Sequence, residues 1–166
     1  MDMYFYYVNK DYIEYLKQAE KDFRGFTCVP DVCYQNCNKF VFGAVLSLND
    51  HNYFVPVSSY SKKQQDLILM TDKQDVHKIL GSLRFTYMIP VPSECLTKVD
   101  INNYKNRVHI SKELAFCRRN RDKIKKQAAK TYYRVNNNID GIIQHACVFN
   151  LLEEACEKYG TLVAAE

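Results

Sequence analysis

The sequence predicts an α+β fold: a compact, mostly antiparallel β-sheet or barrel core with flanking helices. Most strand-like segments lie before residue 92 and the longest helical segments follow residue 110, so the repeated βαβ alternation of a parallel sheet is missing. Of the 166 residues, 47% are hydrophobic and 25% are charged, which is typical of globular proteins. With only 5 glycines, 4 prolines and no flexible linker, residues 1–166 are expected to form a single domain.

The first elements are a strand and an amphipathic helix. Residues 3–8 are rich in tyrosine and phenylalanine, which favour strands. Asn9 is placed to cap a helix that runs to about Lys21. Its apolar residues recur at helical spacing: Tyr12, Ile13, Leu16, Ala19 and Phe23. Residues 24–38 are expected to form a loop.

A β-hairpin follows this loop. The unbroken apolar run at 40–48 predicts a strand buried on both faces. The polar residues at 49–52 predict a turn, and 53–57 form the returning strand. The next elements are short: a strand at 67–70, a helix at 74–80 and a strand at 85–91.

The C-terminal third is predicted to be helical. Ser111 can cap a helix that runs to about Lys130 and carries most of the basic residues. A last helix is expected to start at Asn150, because Glu153 three residues later completes a capping-box pattern. Gly160 predicts its C-terminal end. Glu153 and Glu154 are accordingly expected on the helix surface, where they would serve capping and solubility.

Charge is concentrated in one segment. Seven basic residues and one acid lie between Arg118 and Lys130, although the whole chain carries only +4. This pattern indicates either a solvated helix face or a polyanionic partner bound on one side. The 13 tyrosines likewise suit base stacking in single-stranded RNA or half-buried positions in a sheet.

Cysteine use and the N-terminus predict a cytoplasmic protein. The 7 cysteines are odd in number and no signal-peptide pattern precedes them, so reduced thiols are expected. No apolar run reaches the length of about 18 residues that a membrane span needs. Cys28, Cys33 and Cys37 offer a zinc-site alternative, but a second ligand pair is missing from the sequence, and buried free thiols are favoured.

The hairpin provides the candidate for chemistry. Phosphate-loop, dinucleotide, nucleophile-elbow and HExxH motifs are absent, and the four histidines form no recognisable pair. The hairpin brings Lys39 to the same end of the sheet as Ser58 and Ser59, with Lys62 and Lys63 just beyond. Hydroxyl and ammonium groups gathered there could hold a phosphate and offset its charge. Alternatively, the serines form an ordinary turn and the lysines are only solvated.

Several segments, in order along nearly the whole chain, resemble the ToxN/AbiQ family, the protein toxins of type III toxin–antitoxin systems, and most closely its CptN branch. The segments that resemble the central block of the family are Y-Q-N-C-N-K at 34–39, G-A-V-L at 43–46 and Y-F-V-P-V-S-S at 53–59. The other segments are Y-I-E-Y-L-K at 12–17, L-R-F-T-Y-M-I-P at 83–90, E-L-A-F at 113–116, N-R-D-K-I at 120–124 and C-V-F-N-L-L-E-E at 147–154. Their shared order along nearly the whole chain is far more specific than any one motif.

The resemblance implies a fold like that of the Kid and MazF toxins, with added helices. It implies an endoribonuclease that cuts adenine-rich RNA without a metal ion or other cofactor. The RNA's own 2′-hydroxyl attacks the neighbouring phosphate and leaves a 2′,3′-cyclic phosphate and a 5′-hydroxyl. The implied partners are cellular or phage RNA and an RNA antitoxin, a pseudoknot cut from a repeat-containing precursor, which closes a ring with the protein.

The resemblance also implies site residues. Ser59 matches the active-site serine of the family, Ser58 the threonine or serine before it, and Lys39 the active-site lysine. The predicted RNA-binding residues are Tyr12, Tyr34, Lys62, Lys63, Phe116, Arg118, Arg119, Arg121, Lys123 and Lys126. Lys62 or Lys63 would replace a lysine that follows the serine more closely in the family. Ser111-Lys112-Glu113 stands where some relatives have an aromatic-lysine-glutamine run.

Two other functions stay open from the sequence. One is an RNA-binding module without catalysis, which would use the basic helix and the tyrosines. The other is a small zinc-binding interaction protein built on the three clustered cysteines. The presence of Lys39 and Ser59 favours the nuclease.

Overall fold

The computed structural model describes residues 2–32 and 39–166, and it contains a seven-stranded antiparallel sheet with helices around it. Six strands follow the order β4-β5-β3-β2-β1-β7, and β6 pairs with β3. The strands are β1 (Tyr4–Val8), β2 (Val41–Leu48), β3 (His51–Ser58), β4 (Leu67–Thr71), β5 (Ile79–Arg84), β6 (Ile89–Pro90) and β7 (Leu96–Lys98). The helices are α1 (Lys10–Arg24), α2 (Arg107–Arg119), α3 (Arg121–Asn136) and α4 (Phe149–Ala164). The predicted α+β class is confirmed.

The N-terminal elements form as the sequence predicts, except that Phe23, expected on the apolar face of α1, is exposed. The Asn9 side chain accepts hydrogen bonds from the backbone nitrogens of Asp11 (2.9 Å) and Tyr12 (3.2 Å), and so caps α1. The helix ends at Gly25, whose φ of +81° is the left-handed conformation that glycine adopts readily. It therefore extends three residues beyond Lys21.

The loop after α1 is held by a buried carboxylate. Glu20 is 0% exposed and forms an ion pair with Arg24 at 3.2 Å. It also accepts hydrogen bonds from the Thr27 hydroxyl and from the backbone nitrogens of Cys28 and Val148, each at 2.8 Å. These bonds satisfy the buried charge and join the loop to the segment that precedes α4.

The β2–β3 hairpin is tighter than the sequence suggests. Asn49 and Asp50 both have positive φ, 52° and 62°, which is the conformation of a two-residue hairpin turn. The returning strand therefore starts at His51. One edge of β3 pairs first with β6 and then with β5, through Val57 opposite Leu83 and Ser58 opposite Ser82. This switch of partner places the end of β3 between β2 and β5.

The predicted helix at 74–80 is wrong, and of the predicted strand at 85–91 only the two residues of β6 form a strand. β5 runs from Ile79 to Arg84 because it completes a hairpin with β4, from Leu67 opposite Arg84 to Met70 opposite Gly81. A 3₁₀ turn at Phe85–Tyr87 then separates β5 from the two residues of β6. Strand pairing outweighs the weak strand propensity of Gly81 and Ser82.

The long basic helix is in fact two helices. α2 starts at Arg107, where the Asn106 side chain accepts from the His109 backbone nitrogen at 3.4 Å. The helical path breaks at Asn120, whose side-chain amide donates to the Phe116 carbonyl at 2.9 Å, and α3 follows. A side chain that bonds the preceding turn competes with continuation of the helix.

The prediction for Glu153 and Gly160 is also wrong. Glu153 does not cap α4; its carboxylate is buried and accepts hydrogen bonds from the hydroxyls of Tyr53 (2.7 Å) and Tyr132 (2.8 Å). The helix continues through Gly160 to Ala164. Glu154 is exposed, as expected. None of the helices in the described part of the chain is long and apolar enough to cross a membrane.

Candidate active site

A groove of about 640 Å³ opens where β2 begins and where β3 and β5 end. The segment after α1 and the first half of α2 complete its walls. Its polar lining includes Lys39, Ser58, Ser59, Arg84, Tyr87, Tyr104, His109 and Glu113. The groove therefore gathers cations, hydroxyl groups and the carboxyl groups of Asp31 and Glu113 from segments that are distant in the sequence.

The hairpin brings Lys39 and Ser58 together as predicted. Val41 lies opposite Pro56, and the backbone nitrogen of Val57 donates to the Phe40 carbonyl at 3.1 Å. In this register Lys39 and Ser58 lie at the same end of the two strands. The Ser58 hydroxyl oxygen accepts from the Tyr60 backbone nitrogen at 3.1 Å, which fixes its position, and its proton can still be donated. The catalytic roles of these residues stay predictions.

Arg84 is a groove cation that the sequence reasoning missed. It ends β5, and its guanidinium carbon lies 5.0 Å from the centre of the Tyr60 ring and 4.6 Å from that of Tyr87. These contacts restrain the planar guanidinium by cation–π attraction. Its N–H groups can then bind phosphate oxygens in a fixed orientation. The pairing of β5 with β3 and β4, which the sequence alone does not predict, places Arg84 beside the end of the β2–β3 hairpin.

His109 and Glu113 were also missed. They are four residues apart on α2, with the His109 Nε2 atom 3.4 Å from a Glu113 oxygen. The same nitrogen donates to the Leu80 carbonyl at 2.9 Å, so it carries a proton. Burial raises the pKa of Glu113 from 4.5 to about 8. The signal available in the sequence was the i, i+4 spacing, which places both side chains on one face of a helix.

Lys62 and Lys63, two of the predicted RNA-binding residues, lie outside the groove lining. Lys62 and Lys63 are exposed in the segment between β3 and β4. The segment after β3 therefore presents the positive charge of these two lysines to solvent. Lys112 belongs to the Ser111-Lys112-Glu113 run that differs from the aromatic-lysine-glutamine run of some relatives. It forms an ion pair with Asp72 at 2.9 Å.

Two predicted RNA contacts are contradicted by burial. Tyr12 is 0% exposed, and its hydroxyl donates to the Pro90 carbonyl while its ring packs edge-on against Tyr159. Phe116 is 7% exposed and belongs to the core. Both side chains fill the interior because their helices turn these positions toward the sheet. Tyr34 lies outside the described residues.

The basic segment is exposed but divided. Arg119, Arg121, Lys123 and Lys126 are exposed on either side of the break at Asn120. Arg118 lies with Lys98 over the Tyr4 ring, 5.4 Å and 4.4 Å from its centre. These three residues line a second cavity, of about 630 Å³. The predicted positive surface is thus present in two parts.

Among residues 2–32 and 39–166, no three His, Cys, Asp or Glu side chains lie close enough to hold a metal ion. The described cysteines are free thiols: Cys28, Cys95, Cys117, Cys147 and Cys156. Cys33 and Cys37 of the zinc-site alternative lie outside the described residues, so that alternative stays untested.

Comparison with known proteins finds relatives of this chain among endoribonucleases and toxins of type III toxin–antitoxin systems. The protein is 32% identical over 171 residues to the endoribonuclease ToxN of Pectobacterium atrosepticum, covering 95% of this chain and 94% of the relative. Its fold matches a toxin of a type III toxin–antitoxin system that a non-coding RNA pseudoknot selectively inhibits, with a TM-score of 0.82, 25% identity and coverage of 96% of this chain and 99% of the other.

A second solved structure is equally similar in fold. AbiQ, a lactococcal anti-phage endoribonuclease of a type III system, matches with a TM-score of 0.81 and 25% identity, covering 97% of this chain and 99% of the other. The family model for the toxin ToxN of type III toxin–antitoxin systems matches residues 4–157. The chain therefore belongs to the ToxN family, and the family resemblance predicted from the sequence is confirmed.

Proposed function

We propose that this type III toxin cuts adenine-rich RNA without a metal ion, through attack of the 2′-hydroxyl on the neighbouring phosphate. The products are a 2′,3′-cyclic phosphate and a 5′-hydroxyl. The observation that supports this most directly is the gathering of Lys39, Ser58, Ser59 and Arg84 in one groove. These groups can bind a phosphodiester and offset charge, which is what this reaction needs from a protein.

The residues have complementary roles in the proposed reaction. The hydroxyls of Ser58 and Ser59 donate hydrogen bonds to the phosphate oxygens and orient the phosphorus toward the 2′-oxygen. Lys39 and Arg84 stabilise the extra negative charge that develops on the phosphorane. Tyr87, which lines the groove beside Arg84, offers a ring on which a base can stack.

We also infer that an RNA antitoxin holds this toxin inactive and is processed by it. The similar type III toxin is inhibited by an RNA pseudoknot. The exposed cations of α3 and the second cavity at Tyr4, Lys98 and Arg118 offer this chain a surface for the backbone of such an RNA beyond the groove. Protein and RNA repeats would alternate in a closed assembly in the cytoplasm, where both substrate and antitoxin RNA are made.

The proposal is tested by expression and by cleavage. The chain, expressed in bacteria without its RNA partner, should arrest growth, and the purified protein should cut an adenine-rich RNA in the presence of EDTA. Mass spectrometry should find cyclic phosphate and 5′-hydroxyl ends. Ser59→Ala should abolish growth arrest and slow cleavage by about 10²–10³-fold, the usual cost of losing one donor to the transition state.

Ser61→Ala provides the matched control, since Ser61 is exposed in the same turn. It should keep full toxicity and cleavage. Equal growth with and without the Ser59 hydroxyl, together with tight RNA binding, would instead establish an RNA-binding module without catalysis. Loss of cleavage in EDTA that zinc or magnesium restores would contradict the metal-independent reaction.

A further inference from the structure

The groove contains a buried carboxyl group that forms no ion pair with a lysine or arginine in the described part of the chain. Glu113, in the second turn of α2, is 5% exposed and lines the same groove as Lys39 and Ser59. In the described part of the chain, its ion-pairing contact is with His109, at 3.4 Å, and no lysine or arginine pairs with it. A carboxylate buried in this way is costly unless it is protonated.

The carboxyl group reaches the end of β3 because residue 81 is glycine. A Cβ atom at Gly81 would lie 2.9 Å from a Glu113 oxygen and 2.7 Å from the Ser58 carbonyl oxygen. The distance to the Ser58 backbone oxygen is too short for any side chain, and the carboxyl group would have to shift, so both now occupy space that glycine leaves open. Glu113 therefore lies against the strand end that carries the phosphate-binding hydroxyls.

The surroundings favour the neutral acid at physiological pH. Burial alone raises the pKa of Glu113 to about 8. The ionisable groups near it on α2 and before α2 are His109, Cys117 and Tyr104. Cys28, Asp31, Lys39 and Arg84 line other walls of the same groove. A bound RNA phosphate adds negative charge to the groove and so raises this pKa further.

We propose that Glu113 is the general acid of the cleavage reaction, an assignment that rests on the function proposed above. The 2′-oxygen forms a bond to phosphorus as the bond from phosphorus to the 5′-oxygen breaks. The proton of the 2′-hydroxyl leaves to solvent, and the carboxylic proton of Glu113 passes to the departing 5′-oxygen. The resulting carboxylate regains a proton from solvent after product release.

The first test is the pH dependence of single-turnover cleavage. The rate of the unmodified protein should fall above about pH 8, where Glu113 loses its proton. Glu113→Gln keeps the shape of the side chain but removes the acidic proton. It should cleave about 10²–10⁴-fold more slowly at pH 7, the usual contribution of a positioned acid, and should lose the alkaline fall. Glu154→Gln, on the exposed face of α4, should behave as the unmodified protein does.

The second test replaces the leaving group. An RNA with sulfur in place of the bridging 5′-oxygen at the mapped cleavage site releases a thiolate, which needs no proton. Glu113→Gln should cut this substrate within about 3-fold of the unmodified protein, whereas Ser59→Ala should stay slow on both substrates. Full recovery on sulfur identifies proton donation, because a change in structure would slow both reactions.

Equal deficits of Glu113→Gln on the oxygen and sulfur substrates, or no deficit on either, would overturn the assignment while leaving the proposed function intact. Failure of the unmodified protein to cut any RNA would overturn the proposed function and the assignment with it.

Discussion

At the scale of single residues, Arg84 shows what a stacked guanidinium adds to the groove. Its two tyrosine neighbours hold its plane in position, and a lysine ammonium at the same place would make point contacts without a planar fork. Arg84→Lys should therefore keep the charge yet lower kcat/KM for RNA cleavage by about 10–100-fold, as measured with a fluorescent oligoribonucleotide. Arg107→Lys, exposed at the start of α2, is the matched control and should leave kcat/KM unchanged.

The buried Glu113 carboxyl should also affect stability. Because its pKa is raised from 4.5 in the unfolded chain to about 8 in the folded protein, the unfolded chain loses this proton first. The free energy of unfolding therefore falls as pH rises from about 4.5 to about 8. Glu113→Gln removes this effect and should be more stable than the unmodified protein by about 2–4 kcal/mol at pH 9, with little difference at pH 4.

Urea denaturation across this pH range measures the difference between the two proteins. An unchanged difference from pH 4 to pH 9 would contradict burial of a neutral carboxyl group. If Glu113→Gln is more stable than the unmodified protein and also cleaves more slowly, then Glu113 lowers the stability of the fold while it supports activity.

At the scale of secondary-structure elements, the contact of β5 with β3 and α2 positions the groove. Gly81→Ala should push the Ser58 backbone or the Glu113 side chain away, because the new methyl would lie under 3.0 Å from both. We expect a loss of about 1–3 kcal/mol in stability, typical of overpacking, and a larger fall in cleavage than the loss of folded protein explains.

Gly160→Ala is the control for this substitution. A Cβ atom there meets nothing within 4 Å, and the residue lies inside α4. This change should raise stability by up to about 1 kcal/mol through helix propensity and leave cleavage unchanged. Thermal unfolding of both variants distinguishes the two sites, and a stable, fully active Gly81→Ala protein would contradict the close packing.

At the scale of the whole molecule, we expect the exposed cations of α3 to contribute to RNA binding but not to the cleavage step. Replacement of Arg121, Lys123 and Lys126 by glutamine should weaken RNA binding and reduce the slope of log Kd against log salt by up to about 2, since each lost phosphate contact contributes about 0.7 for single strands. Cleavage at saturating RNA should be unchanged, because these side chains lie outside the groove lining. An unchanged salt slope would show that α3 does not bind the RNA backbone.

Short-range patterns account for the parts of this protein that the sequence predicted well. The cap at Asn9, the β2–β3 hairpin and the meeting of Lys39 with Ser58 depend on neighbouring residues and on a turn of few residues. Family resemblance then predicted the kind of RNA chemistry at that hairpin end, which pattern alone left open.

The tertiary structure decided what depends on partners distant in the chain. Strand pairing determined β5 and thereby brought Arg84 to the hairpin end, and packing turned Tyr12 into the core and Glu153 toward two tyrosines. The raised pKa of Glu113 also follows from burial, which no local pattern encodes. Sequence by itself determined the fold class and the hairpin because local hydrogen bonding and hydrophobic periodicity are written in consecutive residues. The completed groove was decided only by long-range packing, which sets burial and electrostatics together.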